Sequence, residues 1–100
     1  MELDISFKFR NKTCNCRLVI DISESPYYIF TIQEDREIID MFTDDVSIKT
    51  DMLKVLPKED DFVNGIVELR QAIFNAFAAT PEYHIIKAQV PNYIVENNIF

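Results

Sequence analysis

Glycine occurs once in these 100 residues, at Gly65, and that scarcity excludes the glycine-rich loops whose backbone amides cradle phosphates. Tryptophan is missing and histidine is single, His84. The two cysteines, Cys14 and Cys16, are too few for a disulfide framework. They are also too closely spaced for zinc fingers, whose ligands come in paired sets with about two to four residues between them. Their thiols are expected to be free. Basic residues are in short supply as well: 10 Lys and Arg stand against 17 Asp and Glu, for a formal charge of -7. Such a charge opposes both nucleic-acid phosphates and anionic lipid headgroups, so the expected partners include no nucleic acid and no membrane. No apolar run approaches the ~20 residues of a membrane span. The start of the chain alternates in polarity where a signal peptide would have a basic start and an unbroken apolar stretch. A cytoplasmic protein is the expectation that follows.

What the sequence does hold is 48% hydrophobic residues, enough for one core. A chain of this length buries roughly two thirds of its unfolded surface, and nothing marks a linker or a repeat, so residues 1–100 read as a single globular domain. Its organising element is an amphipathic helix over 61–79. At 100° per residue, Phe62, Ile66, Leu69, Ile73, Ala76 and Phe77 share one face, the spacing of a helix that lies on a sheet. Asp60 or Asp61 supplies the N-cap, and Pro81 disfavours helical geometry at Thr80. A second apolar stripe of Val63, Val67, Phe74 and Ala78 runs down the other side, with Arg70 close by, and it needs a cover.

The sheet is read from period-two alternation. Leu3, Ile5, Phe7 and Phe9 alternate with polar residues over 3–9, and Leu18, Ile20 and Ile22 do so over 16–23, across a polar break at 11–15. These two runs pair as a hairpin. Residues 27–33 form a third strand rich in aromatic and β-branched side chains, with Tyr28, Phe30 and Ile32 on one face and Tyr27, Ile29 and Thr31 on the other. The pattern leaves open which face is inward. A short helix is expected over 35–42, with a strand over 37–42 as the competing reading, then a fourth strand over 46–50 and an extended piece at 54–56. Short connections favour a meander. After Pro81, residues 84–90 read as a last strand. The segment 91–100 is too apolar for ordinary disorder and is expected to dock, most simply over the second helix stripe. The fold class is therefore α+β: an antiparallel sheet of about four strands, packed against one long helix from the C-terminal half, with a short helix between strands three and four.

No residue set is assigned to catalysis, to a cofactor or to a metal. Cys14-Asn15-Cys16 lacks further soft ligands nearby, and Asp40, Asp44, Asp45 and Asp51 match no calcium loop because the central glycine and terminal glutamate are missing. Asn11-Lys12-Thr13 fits the glycosylation pattern, which matters only in a secreted chain. Two function classes remain. The favoured one is a non-enzymatic protein-interaction or regulatory module that meets a protein partner or a second copy of itself through Val63, Val67, Arg70 and Phe74, with Phe74 as anchor. The alternative is a small-molecule binder or modest enzyme with a pocket between sheet and helix, lined by Tyr27, Tyr28, Phe30 and His84, where His84 would be the general base.

Overall fold

The alternating stretches form a four-stranded antiparallel sheet in the computed structural model, which describes residues 1–42 and 45–90 apart from the side chain of Asp45. Strands β1 (Glu2–Phe9), β2 (Lys12–Asp21), β3 (Tyr27–Gln33) and β4 (Asp45–Thr50) lie in the order β1-β2-β3-β4, each antiparallel to the next. This is the expected meander. The short helix α1 (Arg36–Met41) joins β3 to β4, and α2 (Ile66–Ala78) and α3 (Pro81–Gln89) follow. The fold is α+β. One face of the sheet carries Ile5, Phe7, Leu18, Ile29 and Ile48, all buried against Leu69, Ile73 and Phe77 of α2 in a common core. The open question about β3 is resolved by the register: Tyr27, Ile29, Thr31 and Gln33 point inward, while Phe30 and Ile32 stay exposed on the outer face.

Three elements differ from the sequence reading. The polar stretch 11–15 is mostly strand. Arg10 and Asn11, at φ 51° and 65°, make a two-residue turn of the left-handed kind that tight hairpins require, so β2 already begins at Lys12. Cys14 therefore joins Cys16 on the inner face.

The long helix starts at Ile66 and not at 61. Gly65 stands before it in a left-handed conformation, φ 86°, and residues 58–65 form tight turns. Phe62, assigned to the buried face, is consequently 85% exposed. Asp60 and Asp61 do not cap the helix, since both carboxylates are engaged by Arg70.

The third difference is α3, a helix where a strand was expected over 84–90. Pro81, read as a stop, occupies the first turn of this new helix, where its missing N–H costs nothing. The Thr80 hydroxyl accepts the Tyr83 amide at 3.3 Å, and Tyr83 and Ile86, three residues apart, bury one side of α3. The expected docking segment 91–100 lies outside the described residues, as does Asp44 of the acidic group.

The two edges of the sheet are unlike. On β4 two outward-facing carbonyls are taken by the chain itself: Ser47 O accepts the Arg70 Nε–H at 2.9 Å, and Lys49 O accepts the Leu56 amide at 2.8 Å. The extended piece expected at 54–56 is this cover, with a bridge between Thr50 and Val55. On β1, Met1 and Ile20 exchange backbone hydrogen bonds in both directions. In an antiparallel ladder bonded and non-bonded pairs alternate, so Leu3, Ile5, Phe7 and Phe9 aim their backbone groups at β2. Glu2, Asp4, Ser6 and Lys8 aim theirs outward, and among the described residues no backbone bond reaches them.

Candidate interaction surface

The second stripe of the long helix divides into three parts. Phe74 is buried by its own chain: its ring lies 6.2 Å from the rings of Phe77 and Tyr83 in edge-to-face contact, and Tyr83 donates its hydroxyl to Met52 O at 2.6 Å. Helix α3 thus supplies the cover for Phe74, which leaves no ring exposed there to anchor a partner. Arg70 is also buried, 2% exposed. Its guanidinium spans Ser47 O, Asp61 Oδ1 at 3.0 Å and both oxygens of Asp60 at 2.8 Å. These bonds tie the 58–65 turns to α2 and β4. The hydrogen bond from Arg70, ahead of the charge attraction, holds the Asp60 carboxyl below its ordinary range. Val63 and Val67 remain at the surface, and Val63 rims a cavity of about 210 Å³ next to Phe42, Val46 and Arg70.

The residues proposed for a pocket near His84 are not brought together. Tyr27 is buried on the inner face, whereas Tyr28 and Phe30 stack on each other across the outer face, ring centres 6.1 Å apart. His84 is exposed on α3, with its ring edge-on to Tyr83 at 5.3 Å. Period-two geometry is the reason: neighbours along β3 must point to opposite sides of the sheet.

The thiols are poor nucleophiles. Burial, ahead of the nearby Glu34 carboxylate, pushes the Cys16 thiol up to about 12, and burial also raises Cys14. Among the described residues no group of three or more His, Cys, Asp and Glu side chains could hold a metal ion. No helix among them is long and apolar enough to cross a membrane.

The surface that stands out lies on the outer face of the sheet. Register places Val19 opposite Phe30 and Arg17 opposite Ile32, while Tyr28 sits between Asp21 and Lys49. An apolar strip of Val19, Tyr28, Phe30 and Ile32 therefore runs along the middle strands. Phe30 is 40% and Ile32 is 51% exposed, and none of the described helices packs over them. Arg17 and Lys49 flank the strip, and Arg17 Nε donates to Asp4 Oδ1 at 3.0 Å. The strip offers dispersion and desolvation energy with charges of both signs at its margin, Glu2 and Asp21 standing opposite Val19 and Tyr28. It offers no nucleophile and no base.

Comparison of the chain with family models, with curated proteins and with solved structures finds no match.

The strip had a signal in the sequence. Five of the seven residues of β3 are apolar or aromatic and they fall on both faces, which a strand buried on one face alone has no packing reason to show. Helix periodicity drew attention instead to Phe74 and Arg70, which serve the interior.

Proposed function

We propose that the chain is a non-enzymatic protein-interaction module that docks a protein partner through the outer face of its sheet. The carrying observation is the apolar strip that no described helix covers, with Phe30 and Ile32 about half exposed on a central strand paired on both sides. Scattered surface apolar residues are normal, but four aligned on adjacent strands make a continuous patch of the kind that marks association sites. Rigid strands also lower the entropy lost on docking, because no loop has to be ordered first. Charges of both signs border the strip, Arg17 and Lys49 beside Glu2 and Asp21, so the surface favours a partner with an apolar centre and a mixed polar rim.

A photo-crosslinking side chain placed at Phe30 tests this in cells. Discrete crosslinked products are expected that disappear when Ile32→Asp is introduced in the same chain. The same label at exposed Glu59 serves as the control. Products indistinguishable from the Glu59 control would defeat the proposal.

A further inference from the structure

We infer that the free edge of β1 is a self-association site, at which two copies pair antiparallel about Ile5 and join their sheets. The inference deepens the interaction-module reading but rests on a different surface, and it can fail without touching the outer strip.

Three observations carry it. First, the edge is available: Glu2, Asp4, Ser6 and Lys8 present their N–H and C=O groups outward, and no described residue takes them. The opposite edge, on β4, is already occupied by Arg70 and Leu56. Second, the edge is regular. Its pairing with β2 runs from Glu2 to Phe9 without a bulge, and it contains no proline, so nothing twists it away from an incoming strand. A groove of about 520 Å³ runs beside it, walled by Ala72, Asn75 and Ala76 of α2 and by Ser6, Lys8 and Thr13. Third, the edge is self-complementary. Charged side chains ordinarily guard a free strand against pairing. Here the acid stands at one end and the base at the other, and antiparallel pairing brings each onto the other's opposite.

The register follows from this. Centring the two-fold axis on Ile5 sets Glu2 opposite Lys8 of the second copy, twice, and Asp4 opposite its Ser6. On the inner side Leu3 then meets Phe7, and Ile5 meets Ile5. Every outward-facing residue gains a backbone partner, because all of these pairs join outward-facing positions. Centring on Asp4 would oppose two carboxylates, which is unfavourable. Centring on Ser6 would place Glu2 opposite Arg10, which has left the strand at φ 51°. The Ile5 axis alone uses the whole strand with unlike charges opposed.

Charge reversal tests both the site and the register. Sedimentation of the full chain should show a dimer for the wild type, and Lys8→Glu or Glu2→Lys alone should weaken it at least about tenfold, since each opposes like charges twice. Mixing the two single variants should restore dimers, because each then meets its complement, and the double variant carrying both changes should pair with itself. Both side chains are exposed, and unchanged melting profiles would show that the variants remain folded. Dimers insensitive to either reversal would overturn the site. Single variants that dissociate without rescue by the mixture or the double variant would overturn the Ile5 register. A wild type monomeric at all concentrations would overturn self-pairing, and slow exchange of the Asp4 and Ser6 amides in that monomer would assign the edge to the chain's own residues. Neither monomer result would change the crosslinking expected at Phe30, which tests the outer strip separately.

Discussion

The two faces of β3 have nearly the same chemistry and opposite fates. Tyr27 and Ile29 lie buried, 2% and 0% exposed, while Phe30 and Ile32, in the same strand, are 40% and 51% exposed. Hydrophobicity does not separate them. What separates them is the placement of the helices: α2 and α3 both follow the sheet in the chain and pack on one side of it. Among the described residues no helix lies over an apolar residue on the other side. Composition therefore sets how much apolar surface a strand brings, and topology decides how much of it is left for other molecules.

The largest expected effect is on the covered face. Ile29→Ala should cost about 2–5 kcal/mol, combining lost transfer energy with the cavity left behind, whereas Ile32→Ala should stay within roughly 0.5 kcal/mol. Denaturant titration of the pair would break the comparison if the two midpoints moved equally. An intermediate effect is expected from Arg70→Ala. It removes charge-assisted hydrogen bonds to Ser47 O, Asp60 and Asp61, but it leaves two carboxylates that are 44% and 36% exposed and can rehydrate. A loss of about 1.5–3 kcal/mol is expected, together with faster amide exchange in the 58–65 turns. A melt unchanged by this substitution would mean that apolar packing alone holds the covered face.

The smallest effect is that of acid. Asp60 has its folded pKa lowered from 3.8 by Arg70, so the unfolded chain binds its proton more readily. The stability it contributes is complete above about pH 4 and is lost as the pH falls through the lower folded value. The group is 44% exposed, so solvent screening keeps the contribution modest. Thermal melts from pH 6 down to pH 2 should show a shallower acid limb for Arg70→Ala than for the wild type. Parallel limbs would remove Arg70 as the cause.

Most of the sheet was legible because alternation is a local property: β3 was assigned to its end residues and β1 to within one residue. The antiparallel meander and the helix between β3 and β4 followed from short connections and from the acidic start at Asp35, whose carboxylate accepts the Glu37 and Ile38 amides. The misread parts depend on contacts distant in sequence. Asp60 and Asp61 look like caps until Arg70 is seen to claim them. Phe62 extends the helical stripe only if the backbone continues through Gly65, and the Asn64-Gly65 dipeptide was a turn signal outweighed by periodicity. Helix α3 was hidden because Pro81 ends one helix as readily as it begins another. Tyr28, Phe30 and Ile32 of the outer strip were already grouped on one face of β3, but the pattern left open whether that face was inward or outward. Only the position of the helices could choose between them.

The lateral seal on β4 has a consequence for how large an assembly can grow. A sheet with two accepting sides can recruit copy after copy and lengthen into a fibre. Among the described residues this one leaves only the β1 side accepting. Two molecules that used it would each consume the other's vacancy, and growth by that route would halt at the pair. Loosening the guanidinium from Ser47 would free that carbonyl on the far side, while Leu56 would still hold Lys49 O.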